Sequence, residues 1–421
     1  MEFRKGDSIG SFTLEAHAGG SVWQARKTGK SNADPVCLKV VQDAAMWRVE
    51  LAVLRELHHG NLVSLRTAFT HAGHTCMVMD WVGDGDLFSW MRDGDTPPTV
   101  ATVVDLTRQL LQGVDHLHWG LPRGLQIVHA DLKPENVLLA WGDDGAPKVR
   151  ITDFDSAVVF GATGNDMVEG GRGCTTEYRA LEMICSPMHT TTAADVWSIG
   201  CIVYEMLTQG DTLFEAPFLD DSEDDSEDDT VDDTVDASAD GDAAHHAGDP
   251  GAAHHAAANR THEGGPHDDP EDPEDNGAGE DADGAAGEDG QDDTDEDAAD
   301  VVHLLLIRET LGVWPLAHAR RYPTMFTRSG HIKFEHLRDC CGLPPELVDA
   351  APASQPVVAR LLACGVDEVV ATTMARDVIV PMLTMDHEKR PSTRDMLQRL
   401  AHRGKSTVPP CSKRAGRRRK R

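Results

Sequence analysis

The sequence has no uncharged apolar stretch approaching ~18 residues, so there is no reason to expect a membrane-spanning helix. Its first twelve residues carry Arg4 and Lys5 with no apolar run behind them, and no secretory signal is expected. The nine cysteines, at 37, 76, 174, 185, 201, 340, 341, 364 and 411, include no C-x-x-C pair. That spacing argues against a zinc site and suits reduced thiols in the nucleus or cytoplasm. Aromatic residues make up 5% of the chain and are missing altogether from residues 219–300, which consist mainly of Asp, Glu, Ala, Gly, Pro and His. Such a segment cannot bury enough apolar surface to offset its ordering entropy, and disorder is predicted there.

What the chain has in excess is negative charge, 71 acidic against 39 basic side chains for a net −32. Residues 220–300 hold 32 Asp/Glu and one base, Arg260, so nearly all of the excess sits there and the rest of the chain is close to neutral. The acidic average therefore does not exclude an anionic ligand on the folded part. That part is long enough for a large core, expected as two lobes. No direct contact with nucleic acid or membrane is expected, and the chain is expected to be a monomer.

Residues 12–80 read as strands with one helix. Phe12–Leu14, Val22–Gln24, Val36–Val41, Leu62–Phe69 and Cys76–Asp80 are strand-like, and Ala44–Leu57 places Trp47, Leu51 and Leu54 on one helical face. From about residue 100 the period is helical. Val103, Leu106, Leu110, Val114 and Leu117 form a stripe, Ala193–Leu207 is apolar throughout, and Val301–Leu311, Met374–Leu383 and Ser392–His402 return to helix after the acidic segment.

One string carries chemistry. His129-Ala130-Asp131-Leu132-Lys133-Pro134-Glu135-Asn136 is followed, seventeen residues after Asn136, by Asp153-Phe154-Asp155. Phosphoryl transfer needs a carboxylate to orient and deprotonate the incoming hydroxyl, which Asp131 supplies, and a cation beside the moving group, which Lys133 supplies. Asn136 and Asp153 offer the hard oxygens that Mg²⁺ takes alongside phosphate and water.

These residues resemble the eukaryotic-type protein kinases. The resemblance implies an α+β, two-lobed protein kinase fold over 12–404, with a small β-rich N-lobe (about 12–80) and a larger α-rich C-lobe (about 83–219 and 301–404). A long disordered acidic insert (220–300) would interrupt the C-lobe, and a basic tail (405–421) would follow. It also implies ATP and Mg²⁺ as cofactors and Ser/Thr hydroxyls of protein substrates as acceptors, the latter from Lys133 and Thr175. Val36-Cys37-Leu38-Lys39 looks like V-A-I-K, making Lys39 the phosphate ligand and Glu50 its ion-pair partner. Val78-Met79-Asp80-Trp81-Val82 looks like the hinge, with backbone amides of Asp80 to Val82 toward adenine and Met79 gating the back pocket. The phosphate-covering loop falls on Glu15 to Val22, so that Leu14, Gly19, Gly20, Ser21 and Val22 would border the nucleotide. Tyr178 to Glu182 is similar to the A-P-E region, with Arg390 pairing Glu182, and Asp195 would anchor the catalytic loop.

Asp300 to Gly312, Phe326 to Ile332 and Pro381 to Met385 are similar to SR-protein kinases, with Glu309 at an acidic docking position and Val302 where a second acid is expected. Arg/Ser-rich or other basic proteins are the substrates this branch implies. The short loops and the acidic insert also look like the divergent kinases of large DNA viruses. The alternatives are a pseudokinase scaffold and an acidic docking module for basic proteins.

Four positions depart from the family pattern. Glu15 and His17 replace glycines, which predicts weakened nucleotide binding. Asp155 replaces a glycine that would take a left-handed φ. Ala130 replaces an arginine that would bind a phosphate on the activation segment, which predicts activity without that phosphate. Ser222 and Ser226 lie in acidophilic contexts, His245-His246 and His254-His255 are weak metal candidates, and Lys413–Arg421 reads as a nuclear import signal.

Overall fold

The structure, a computed structural model, describes residues 3–41, 47–93, 97–142, 145–161, 167–168, 174–186, 190–215, 292–312, 314–323, 325–327, 333 and 356–403. Residues 1–219 and 289–421 make up one compact unit, to which everything below belongs. The expected acidic insert up to residue 291 and the basic tail lie outside the described residues, together with the serines, histidine pairs and import signal noted on them.

Alternating β-branched and polar residues give six strands, β1 (Ser8–Ile9), β2 (Phe12–Gly19), β3 (Val22–Lys27), β4 (Val36–Val41), β5 (Leu65–His71) and β6 (His74–Asp80). They form one antiparallel sheet in the order β1-β2-β3-β4-β6-β5. Period-two alternation sorts β4 between two environments. Val36, Leu38 and Val40 join Ile9, Leu14, Ala25, Cys76 and Val78 in a small cluster on one face, while Cys37 and Val41 pack against the main core on the other. Lys39 shares that second face. Helix α1 (Trp47–Glu56) follows β4 and buries Leu51 and Leu54. The strand expected from Leu62 starts at Leu65, because Leu62 and Val63 are bonded elsewhere: Asn61 and Val63 exchange main-chain hydrogen bonds with Ile151.

The larger lobe is helical. Its described helices include α2 (Leu87–Asp93), α3 (Val100–Asp115), α4 (Leu181–Cys185), α5 (Thr192–Thr208), α6 (Asp292–Leu311), α7 (Leu316–Arg321), α8 (Val357–Ala363), α9 (Glu368–Met374) and α10 (Thr393–Arg403). The stripe Val103, Leu106, Leu110 and Val114 is fully buried, and Thr99 caps α3 by accepting from the Thr102 N–H. Gly113 is required on the same helix, since a Cβ there would meet Ile151 at 2.9 Å and the Asn61 carbonyl at 3.2 Å. Helix α5 is buried nearly all round, as its continuous apolarity predicts.

Two short sheet pieces hold the loops between the lobes: β8 (Val137–Trp141) pairs with β9 (Pro147–Ile151), and β7 (Gln126–Val128) pairs with β10 (Val158–Phe160). Helix α6 starts nine residues before the expected Val301, so the end of the acidic run is helix. Composition alone hides this, although a run of acids is what a helix N-terminus favours. Among the described residues no helix is long and apolar enough to cross a membrane.

Candidate active site

The loop between β7 and β8 is held from below by one buried carboxylate. Asp195, at the start of α5, accepts from the His129 N–H (2.9 Å) and the Ala130 N–H (3.0 Å), and its Oδ2 lies 2.8 Å from His118 Nε2. This fixes Ala130 at φ +67°, a left-handed conformation that costs a side-chain-bearing residue about 1 kcal/mol. The turn presents Asp131. Its Oδ1 accepts from the Thr175 N–H (2.9 Å) and the Thr175 hydroxyl (3.0 Å), and Lys133 Nζ donates to that same hydroxyl at 2.8 Å. Asn136 Nδ2 donates to the Asp131 carbonyl (2.9 Å) and to Asp131 Oδ2 (3.3 Å), which leaves the Asn136 amide oxygen as an acceptor.

Above this loop, Lys39 Nζ lies 2.9 Å from both Glu50 Oε2 and Asp153 Oδ1. Burial pushes the Lys39 ammonium toward losing its proton, but the two carboxylates outweigh it and hold the group above its ordinary range. Asp153 takes φ +63°, and this turn sends Phe154 into the core, its ring 5.1 Å from that of His129. The left-handed residue is thus Asp153. Asp155 is not among the residues with positive φ, so the strain expected from its replacing a glycine does not arise there.

The hairpin that was expected to cover phosphates is shorter than the sequence suggested. Strand β2 runs through to Gly19, which pairs with Val22, so the turn has only Gly20 and Ser21. Gly19 and Gly20 have φ +114° and +50°, which explains the glycines. The Val40 N–H donates to the Ser21 carbonyl, and Val22 pairs with Lys39, so the hairpin ends level with that lysine. Glu15 is therefore a strand residue. Its carboxylate is paired with Arg26 at 2.7 Å, which offsets the negative charge it brings to the hairpin. His17 Nε2 braces the turn against the Gly20 carbonyl (2.9 Å). Leu14 belongs to the cluster on the sheet face away from Lys39 and is not brought to the cleft.

Comparison with known proteins now decides the family. The protein kinase domain matches residues 18–255, more than half of the chain. The chain belongs to the protein kinase family. It is 32% identical over 160 residues to cyclin-dependent kinase 7 of Caenorhabditis elegans, covering 38% of this chain and 44% of that protein. It is 28% identical over 205 residues to the serine/threonine-protein kinase US3 homolog of equine herpesvirus 1 (strain Ab4p), covering 49% of each. The chain thus spans about half or less of the length of these curated relatives. The crystal structure of the yeast RNA Pol II CTD kinase CTDK-1 complex matches 94% of both chains with a TM-score of 0.52 at 14% identity, a likeness of fold.

In this kinase-family chain the hinge differs in detail from expectation. Met79 is buried at the end of β6, but the Asp80 N–H already donates to the Ser64 carbonyl and the Asp80 carboxylate accepts from Arg66 Nε. Val82 lies in the irregular link that follows. The docking positions are also engaged, since Val302 is buried and Glu309 faces Arg360 at 3.7 Å. Glu182 and Arg390 form the expected pair, a fully buried fork at 2.7 and 2.9 Å.

Sequence reasoning missed two features, Glu205 and the partners of Arg179, taken up below. Glu205 accepts from the Tyr178 hydroxyl at 2.7 Å and is 1% exposed. Burial pushes its carboxyl up to about 7, with Glu135 adding to the rise and the Tyr178 bond opposing it. A carboxyl raised on folding contributes stability that is complete below its ordinary range and is lost as pH rises through 7. Glu205→Gln is expected to gain up to about 3 kcal/mol over the parent at pH 8 and little at pH 4. Thermal melts across that range check it, and parallel curves would contradict it.

Proposed function

We propose that this chain is a protein serine/threonine kinase that moves the γ-phosphoryl group of Mg·ATP to Ser or Thr hydroxyls of proteins. The observation that carries the reading is the Thr175 hydroxyl held between the Asp131 carboxylate and the Lys133 ammonium. A hydroxyl is already bound by a base and a cation together, at the place where an acceptor hydroxyl must be oriented. Asp131 orients the acceptor and takes its proton, and Lys133 offsets charge on the moving group. Lys39, fixed by Glu50, neutralises phosphate oxygens.

The donor set fits Mg²⁺. Asn136 keeps its amide oxygen, Asp153 keeps its second carboxylate oxygen, and among the described residues no group of three or more His, Cys, Asp or Glu could hold an ion alone, so phosphate and water would complete the shell. The nucleotide would border Val22 and Lys39 on the cleft face of the sheet, the turn Gly19 to Ser21 and the main chain at Val82. With so short a hairpin, affinity for ATP is expected to be weak. Basic protein substrates are the ones that the resemblance to SR-protein kinases implies.

The short hairpin favours a second reading, a scaffold that binds nucleotide without transfer. Ala130 separates the two: a kinase with no arginine there should need no activation-segment phosphate. The unphosphorylated bacterial product is expected to label Ser/Thr peptides from Mg·ATP. Activity appearing only after an upstream kinase acts would refute the phosphate-free part, and binding without transfer under any condition would favour the scaffold.

A further inference from the structure

Asp300 is the last carboxylate of the acidic run, yet it is built into the lobe that carries the catalytic loop. Its Oδ1 lies 2.6 Å from Arg179 Nη1, with the two side chains 22% and 10% exposed. Arg179 sits in the link between the Thr176–Tyr178 turn and α4. Its remaining nitrogens donate backward to the Cys174 carbonyl, Nε at 3.2 Å and Nη2 at 2.5 Å. One helical turn beyond Asp300, His303 Nε2 lies 3.0 Å from the Arg179 carbonyl. His303 is fully buried, and burial pushes it down to about 4, so it is neutral. Because a carbonyl can only accept, the proton sits on Nε2 and Nε2 is the donor, while Nδ1 has no partner among the described residues. A single turn of α6 thus grips Arg179 by side chain and main chain at once.

The consequence reaches the site through adjacent groups. Cys174, whose carbonyl Arg179 holds, precedes Thr175, and the N–H and hydroxyl of Thr175 are the groups that sit on Asp131 Oδ1. We infer that Asp300 and Arg179 are positioning residues: the pair sets the Cys174–Thr175 main chain against Asp131 and thereby sets where the acceptor hydroxyl is oriented. The pair is charge-assisted and largely shielded from water, which makes it stronger than an exposed ion pair. It would also account for activity without a phosphate on that segment, because the cation there is already neutralised by a carboxylate of the same chain. The carboxylate is part of the fold, so it does not have to be added by modification.

This inference rests on the kinase reading, and its test uses the full chain with Asp300→Ala, Asp300→Glu, Arg179→Ala and the Asp300→Ala/Arg179→Ala double variant. Two readouts are needed: steady-state transfer to a Ser/Thr peptide, and hydrogen exchange at the Thr175 amide. Asp300→Ala is expected to lower kcat/KM for the peptide by about tenfold. The KM for ATP should stay within about twofold, Asp300→Glu should recover most of the loss, and the double variant should be no worse than Arg179→Ala alone, because the two act as a unit. The Thr175 amide should exchange about tenfold faster in Asp300→Ala. Peptide kinetics within twofold of the parent would overturn the inference. So would a loss shared equally by ATP binding and not rescued by Glu, which marks a merely structural pair. Should the parent transfer no phosphate, the kinase reading has failed, and the exchange measurement still decides the clamp: an unchanged Thr175 rate refutes it.

Discussion

Asp131→Asn is expected to cut kcat for peptide phosphorylation by about 10²–10⁴-fold, the range over which a positioned base contributes. The substitution keeps the shape of the side chain and removes its capacity to take a proton. Its neighbours are Thr175, Lys133 and Asn136, whereas Lys39 bonds to Glu50 and Asp153. The KM for ATP should therefore hold while kcat falls, the pattern of a contact that matters in the transition state. A variant that lost ATP affinity and kept kcat would place Asp131 in nucleotide binding instead. Equal rates in parent and variant would remove it from the chemistry.

Arg390→Met is expected to destabilise the larger lobe by about 3–5 kcal/mol, the cost of leaving one member of a buried ion pair unpaired. Both side chains are 0% exposed. Burial pushes the Glu182 carboxyl up, but the Arg390 charge and its two hydrogen bonds outweigh that and hold it below the ordinary carboxylate range. Arg390 also donates to the Thr384 and Ala193 carbonyls and lies 4.9 Å over the Trp197 ring, so its loss frees several buried groups together. A folded carboxyl held low contributes stability above its ordinary range and loses it as pH falls. The parent should therefore approach the variant in acid. Pairing Arg390→Met with Glu182→Gln should recover part of the loss. Denaturant unfolding at pH 7 and pH 4 checks this, and a loss below about 1 kcal/mol would show the pair to be solvated.

The parts of this protein that were legible in the sequence are those where spacing alone dictates geometry. The Lys39–Glu50 pair is the exception, legible only through the family resemblance, since a glutamate on a helix reads by itself as a solvated charge. The stripe of α3 and the apolar run of α5 gave their helices directly. The hairpin was misplaced because a glycine count cannot show where pairing stops, and the Gly19–Val22 pair moved Glu15 out of a loop and into a strand. Left-handed φ was expected at Asp155 and is found at Asp153, since the turn is set by burial of Phe154 rather than by the missing glycine. Asp300 was unreadable for another reason. Nothing in a run of carboxylates distinguishes the one that meets an arginine, because Arg179 lies 121 residues away.

The central claim is that Lys39, Asp131, Lys133, Asn136 and Asp153 together transfer a phosphoryl group. The most direct test follows ³²P from γ-labelled Mg·ATP into Ser/Thr peptides and a basic protein, using phosphate-free parent chain beside Lys39→Met, with nucleotide binding measured on the same samples. The account predicts label on Ser or Thr with the parent and its loss in Lys39→Met. Nucleotide bound by the parent with no label transferred to any acceptor would contradict it and leave a scaffold.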